Sequence, residues 1–542
     1  MQITKKQNHY FYSKCFWPVL IITSIVFSFY LITFFLGNHD FRHLKFGTKP
    51  FQGVWEGRLT QFIPQYILFN SQILPILSAL IGLIFFCLSP IVITKAWNIH
   101  QKTNIIIFSL LITLNPHTLA QAYYVHQITS ILLWHLLVAL GLYSLLSPTR
   151  TFKNYIFSYT LWSISICGYA PAITTIFILT TSSIIIDVLT NNFTLKQIIK
   201  KYAPIYLVAF ISGLTYFSII EILKNKQIIQ TKMYNVQTLS IKKIIKKITQ
   251  NYKEPLKVLL FPTPYEAKIT NLIITSLMLM YLILAYIKKR LIIIFILSII
   301  TLFSAQLTSF ISPHDIFYTF RINLFSTPYI IAILFIITNS NKNIIIKNIS
   351  LICSIILLFS FIKADFNCQK IWHLGNKQDE LATDRIRADL LKKIDLDKRY
   401  RLYYIGEFHG RKKFANQYSY RLKDNEIFRE YYSYEYLICT FFTNGLFIQE
   451  RYNPIYGSIF FYRGYNASYL INNNEYLNSE EKFSQSNFIH TQPNKTNKEK
   501  IYNWLISPNK KTTLVIDDDI FIYLSKNHSH YLTIMHHLGF LK

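Results

Sequence analysis

Residues 72–94 read QILPILSALIGLIFFCLSPIVIT, without one charged side chain. A run of roughly 18 or more apolar residues is long enough for a helix to cross about 30 Å of hydrocarbon. Phe16 to Gly37 is a second run of this kind. Working outward from these two, the pattern repeats along the chain and predicts eleven spans. They cover about 15–37, 72–94, 103–115, 127–148, 154–168, 171–190, 203–223, 269–287, 291–312, 322–339 and 347–364. The third and fifth are the shortest for a crossing helix. The 542-residue composition agrees: 51% hydrophobic, 16% aromatic and only 15% charged, where a soluble domain is about a quarter charged. The expectation is a mainly α, polytopic membrane protein.

The formal net charge is +29, which in a soluble chain would point to nucleic acid. Here much of the excess falls in short loops, where the positive-inside rule places it, and no nucleic-acid motif accompanies it. With the N-terminus cytoplasmic, the inner loops carry Lys95 and Lys102, Arg150 and Lys153, then Lys196, Lys200 and Lys201. They continue with Lys288, Lys289 and Arg290, then Lys342 and Lys347. Asp40, Glu56 and Asp315 fall outside, as does everything after Ala364. The first run follows Lys5, Lys6 and Lys14, exceeds a signal-peptide core and lacks an Ala-x-Ala exit, so it is expected to be a retained span.

Residues 224–268 are lysine-rich yet external by the same parity; loops of that length cross largely regardless of charge. Within them, Ile and Lys pairs alternate from Ile241 to Ile248. Such spacing makes an amphipathic helix, read either as a surface anchor or as a cationic wall near an anionic headgroup. From Asp365 the sequence turns charged and tyrosine-rich. Asp379 to Ile394 has helical periodicity, and Arg399 to Gly406 and Thr512 to Ile516 are β-like. Residues 1–365 are therefore expected to form the transmembrane domain and 366–542 a small extracytoplasmic α/β domain. Cys15, Cys87, Cys167 and Cys353 read as small buried hydrophobes. Cys368 and Cys439 could form a disulfide in an oxidising compartment.

Charge near a membrane calls for a reason. The first external loop carries Asp40 and Arg42, then Trp55, Glu56 and Arg58. Asp40 is read either as a solvated or capping carboxylate, or as a general base toward a sugar hydroxyl or a cation ligand. Arg42 and Arg58 are phosphate-binding forks or interfacial anchors. Tyr124 and His126 precede the fourth span. His314 and Asp315 lead to Arg321 at the head of the tenth, where a guanidinium snorkels or meets an anion. Polar groups thus gather on one membrane face while the spans carry almost no charge, which favours an outer-leaflet site over a conduction path. Asp517-Asp518-Asp519 reads as a solvated turn, and His528, His530, His536 and His537 as surface. No Walker loop, GxSxG elbow, HExxH or cysteine ligand pattern for a metal is present.

The order of these pieces resembles the integral-membrane glycosyltransferases of GT-C type, and among them the bacterial serotype-conversion O-antigen glucosyltransferases (Gtr-type). The matching pieces are Asp40, Trp55-Glu-Gly-Arg58, Asn115-Pro116 with Tyr124, Tyr169-Ala-Pro171, Arg321, and the stretch from Asp365 through Asn376 and Asp379 to Tyr404-Ile405-Gly406. The resemblance implies an inverting hexosyltransferase of the bacterial inner membrane. Its donor would be a polyprenyl-phosphate-linked sugar and its acceptor a cell-envelope glycan such as O-antigen or lipopolysaccharide. Asp40 would be the base, and Arg58 or Arg321 would hold the carrier phosphate. The family often has an acidic pair in this loop, whereas here Asp40 stands between His39 and Phe41. The need for magnesium or manganese is left open. The reading from another class is a flippase or transporter for lipid-linked glycans, which requires polar mid-membrane positions and broken helices.

Overall fold

The computed structural model describes residues 5–32, 50–118 apart from 52, 55, 56 and 73, 127–190, 193–228, 259–260, 267–305, 307, 325–340, 343–390, 392, 401–405, 513–516 and 519–523. Thirteen helices lie among them. They are α1 (Lys5–Val26), α2 (Ser28–Ile32), α3 (Ile63–Phe69), α4 (Pro75–Ala96), α5 (Lys102–Thr113), α6 (Ile128–Leu146) and α7 (Phe152–Gly168). They continue with α8 (Ala172–Thr190), α9 (Leu195–Asn225), α10 (Ala267–Ile287), α11 (Leu291–Ser304), α12 (Thr327–Asn339) and α13 (Ile344–Leu390).

Among the described residues, each apolar run read from the sequence contains helix, but the lengths differ from the expectation. Among the described residues, six helices are long and apolar enough to cross a membrane: Pro75–Ala96, Ile128–Leu146, Ala172–Thr190, Leu195–Asn225, Lys268–Ile287 and Ile344–Asn367. The 12, 14 and 13 residues of α5, α11 and α12 reach only about 18–21 Å at 1.5 Å per residue, short of a full crossing. The first span is interrupted at Phe27. Helix α9 runs 31 residues, starting eight before the sequence reading. Its start is a capping box: Thr194 N–H donates to Gln197 Oε1 (2.8 Å) and Gln197 N–H to Thr194 Oγ1 (3.4 Å), satisfying two end donors at once.

Packing between helices rests on small residues and polar pairs, as it must where lipid is as apolar as leucine. Helices α6 and α7 exchange tryptophans: Trp134 lies over Gly168 and Trp162 over Gly141, and a Cβ on either glycine would overlap the facing indole. Trp162 Nε1 then donates to Val138 O (3.1 Å) and Ser158 Oγ to Gly141 O (2.8 Å). Helix α4 joins α6 through Thr129 Oγ1 to Ser78 O (2.8 Å) and Ser89 Oγ to His135 O (3.0 Å). Buried hydroxyl pairs link α1 to α5 (Thr23–Thr113, 3.0 Å) and α12 to α13 (Thr338–Ser350, 2.6 Å). Helix α8 is the central one, 94% buried. Leu207, Phe210 and Leu214 of α9, Leu272, Leu279 and Ile283 of α10, and Ile292 and Phe295 of α11 stand exposed, the face a bilayer would cover.

At the end of α8, Asp187 meets Lys201 Nζ of α9 at 2.6 Å and accepts from Tyr202 OH at 2.7 Å. Asp187 lies inside the run 171–190, which was read as nearly free of charge, and its partner is a lysine expected in an inner loop. Of the four cysteines expected in spans, Cys15, Cys87 and Cys167 are buried and Cys353 is half-buried; all four are free.

Two compact units divide the chain: Met1–Phe34 with Gly47–Gln369, and Phe35–Phe46 with Lys370–Lys542. In the second, β1 (Arg401–Ile405), β2 (Thr513–Ile516) and β3 (Asp519–Tyr523) form a sheet in the order β1-β3-β2. Strand β1 runs parallel to β3 with Arg401 opposite Asp519, and β2 runs antiparallel with Thr513 opposite Ile522. Two of these strands coincide with the β-like runs of the sequence. The third begins at Asp519, which had been read as part of a solvated turn. Helix α13 passes residues 365 and 366 without interruption, so the composition change there is no break in secondary structure. The lysine-rich stretch 239–252, Asp517, Asp518, Cys439 and the four C-terminal histidines lie outside the described residues, as does the Cys368 side chain.

Candidate functional site

A tight turn precedes α3. Arg58 N–H donates to Gly53 O (2.8 Å) and Gly57 N–H to Val54 O (2.9 Å). Gly57 has φ 73°, a left-handed conformation that glycine adopts without steric penalty. Tyr216 OH of α9 donates to Gly57 O (3.1 Å). Thr60 fastens the turn to α7, its N–H reaching Cys167 O (3.3 Å) and its Oγ1 reaching Ile164 O (2.9 Å).

These bonds deliver the half-buried Arg58 guanidinium to a fixed place. Its carbon sits 5.5 Å from the centre of the Tyr169 ring, and Nη1 lies 3.4 Å from Gln61 Oε1. A ring face attracts a cation through its quadrupole, and a planar guanidinium is the side chain whose fork matches a carboxylate or phosphate. Gln61 is buried and its Nε2 donates to Gln127 Oε1 at the start of α6.

Behind Tyr169 an aromatic column descends into the core. Tyr169 lies 5.0 Å from Phe325, and Phe325 stacks on His135 at 4.7 Å and 7°. His135 Nδ1 is 2.7 Å from Tyr329 OH, and Thr175 Oγ1 donates to Phe325 O (2.9 Å). The column makes Tyr169 a stiff platform for the cation above it.

Asn115 shapes the neighbouring turn after α5. Its Oδ1 accepts from His117 N–H (3.0 Å), and Thr118 N–H donates to Asn115 O (2.7 Å), an Asx-type turn. Burial pushes the His117 imidazole down to about 3, so it is neutral at physiological pH. After the Arg58 turn, Gln65 Nε2 of α3 donates to Gln72 O (3.1 Å). Tyr66, Ile67 and Leu68 on its other side are exposed.

Of the residues the sequence nominated, Arg58 is the one the structure describes. Asp40, Arg42, Trp55, Glu56, Tyr124, His126, His314, Asp315 and Arg321 lie outside the described residues. What the fold does bring together is Arg58 and Tyr169, two pieces of the resemblance from separate loops. Gln61, Gln127 and Phe325 were missed, because nothing in local periodicity marks them. Asp187 was also missed, although an acid inside an apolar run (171–190) is a visible signal. Among the described residues no group of three or more His, Cys, Asp or Glu is placed to hold a metal ion.

A bundle of apolar helices with an arginine set on an aromatic platform at a loop defines a polytopic helical membrane protein. A family model described as glucosyl transferase GtrII matches residues 29–341. That is more than half of the chain, and the chain belongs to the GtrII glucosyl transferase family. The match runs through every nominated site residue and ends before α13. No curated protein and no solved structure matches the chain significantly.

Proposed function

We propose that this chain is a GT-C-like inverting glucosyltransferase that moves glucose from a polyprenyl-phosphate carrier to a cell-envelope glycan such as O-antigen. An acceptor hydroxyl oxygen attacks the anomeric carbon from the face opposite the phosphate. The carbon–phosphate oxygen bond breaks, the polyprenyl phosphate leaves, and the Asp40 carboxylate takes the hydroxyl proton. Arg58 stabilises the charge gathering on the departing phosphate, with Arg42 and Arg321 as further cations of the same outer face. Trp55, Glu56, Tyr124, His126, His314 and Asp315 line the approach for the sugars. The enzyme resides in the bacterial inner membrane with a cytoplasmic N-terminus, and residues 1–365 form the membrane domain. Residues 366–542 form a periplasmic domain suited by position to acceptor capture. A divalent cation belongs to this reading only if the transfer proves to need one.

The observation that carries the proposal is the Arg58–Tyr169 pair, a phosphate-competent cation held in place within the region that matches the family. The test uses purified full-length protein, a radiolabelled polyprenyl-phosphate glucose and a cell-envelope glycan acceptor. Transfer by the wild type that is lost in Asp40→Asn, with folding unchanged, supports the mechanism. Undiminished transfer by Asp40→Asn removes Asp40 from it. Movement of the lipid-linked glycan across vesicles without transfer would favour the flippase reading instead.

A further inference from the structure

The first span is not one continuous helix. Its helical hydrogen bonding is interrupted at Phe27, between α1 and α2, although Phe27 N–H still reaches Thr23 O (2.9 Å) and Leu31 N–H reaches Phe27 O (2.9 Å). In an unbroken helix the Tyr30 N–H would donate to Val26 O. Instead Tyr30 N–H donates to Gln369 Oε1 (2.9 Å), and Gln369 Nε2 donates to Val26 O (2.8 Å). The side-chain amide from α13 stands in the helix ladder like an inserted peptide unit. Its second N–H reaches Asp365 O one turn earlier on its own helix (3.3 Å).

Burial makes this arrangement consequential. Val26 is 3%, Phe27 1%, Tyr30 5% and Gln369 0% exposed, so water is not at hand to satisfy an opened carbonyl and amide. Backbone groups left unpaired in such surroundings cost several kcal/mol each in hydrocarbon. Insertion of a side chain into the ladder is a recognised cause of a helix bend. A glutamine has both the donor and the acceptor that the gap requires; a leucine in its place has neither. No proline lies at the break, since the one inside α1 is Pro18.

The structure assigns Gln369 as a positioning residue for the transfer reaction: by standing between Val26 and Tyr30 it bends the first span and sets the direction in which the chain leaves it. This rests on the reading of Asp40 as the base, since Asp40 follows Ile32 by eight residues of chain. Asp40 is covalently tied to the span's end, and reacting groups displaced by about 1 Å lose rate on the order of a hundredfold. Gln369 lies beyond the family match, so the device joins the catalytic region to a helix outside it.

The experiment compares the wild type with Gln369→Leu, Gln369→Glu and Asp40→Asn in full-length protein. Gln369→Leu is expected to lower kcat by at least tenfold while donor KM stays within about twofold, because the donor phosphate is held on other elements. Gln369→Glu retains most of the turnover, since the neutral acid presents the same donor and acceptor. Nitroxide labels at Ile21 and Ile32, 55% and 76% exposed, read the bend directly in a background with the native cysteines replaced. In Gln369→Leu their separation should lengthen toward the roughly 16 Å backbone span of a straight helix. The proposal is overturned if kcat of Gln369→Leu stays within twofold of wild type, if donor KM rises as much as kcat falls, or if the label distance is unchanged. If Asp40→Asn transfers normally, the reading of Asp40 fails by itself, and the label distance alone decides whether Gln369 bends the span.

Discussion

Replacing Tyr169 by leucine isolates the contribution of the ring beneath Arg58. The guanidinium carbon lies 5.5 Å from the ring centre, inside the roughly 6 Å reach of a cation–π contact. Such contacts are worth about 0.5–1 kcal/mol when exposed and about 2 kcal/mol when desolvated. A half-buried pair falls between, at about 1 kcal/mol. The Gln61 Oε1 contact at 3.4 Å is a long one. Leucine keeps most of the volume but no quadrupole, so the arginine loses its fixed pose and that free energy must be recovered on binding phosphate. One kcal/mol is about a fivefold change in an equilibrium, so donor KM should rise about fivefold in Tyr169→Leu. Tyr169→Phe keeps the ring and should stay within twofold. The assay is initial-rate transfer against polyprenyl-phosphate glucose concentration at saturating acceptor. Equal donor KM for the leucine and phenylalanine variants would refute the reasoning, since the ring face would then contribute nothing.

Gly141→Ala pushes a methyl into the Trp162 indole and disturbs its bond to Val138; overpacking of about 1–3 kcal/mol should lower the thermal midpoint in detergent, with Gly168→Ala alike. Lys201→Met leaves Asp187 buried with Tyr202 as a remaining partner; breaking a buried pair costs about 3–5 kcal/mol, reduced here to about 2 kcal/mol because Lys201 is 32% exposed. Chemical denaturation should show that loss, and adding Asp187→Asn should recover part of it. His117, held down to about 3 in the fold against 6.5 unfolded, binds its proton more readily in the unfolded chain. Its contribution is intact above about pH 6.5 and is lost as pH falls toward 3, at up to about 1.4 kcal/mol per pH unit. Thermal midpoints from pH 7 to 5 should fall less steeply in His117→Asn than in the wild type.

The helical runs were legible because a bilayer imposes a simple constraint on each one separately: length and the absence of charge. That constraint says nothing about where a helix stops. Helix α13 was expected to end near residue 364 because composition changes there, yet charged residues such as Lys370 and Asp379 are good enough helix formers to let it continue to Leu390. Conversely, α5 and α12 are shorter than the spans read for them, because apolar sequence is selected alike by lipid and by packing inside protein and does not mark where a helix ends. For the site, Arg58 was visible as a charge in a loop between apolar runs. Its platform Tyr169 was visible only as a motif piece, and Gln61 and Gln127 gave no signal, since single polar residues in loops are common.

By itself the sequence determined that the chain is mainly helical and suited to a membrane, because solvation by hydrocarbon is decided residue by residue. Tertiary structure decided which groups meet. Trp134 and Trp162 find their glycines only when α6 and α7 lie side by side. Arg58 finds Tyr169 only once Thr60 is tied to the end of α7. Gln369 enters the ladder of a helix 339 positions away, a pairing set by the three-dimensional course of the chain and absent from any local pattern.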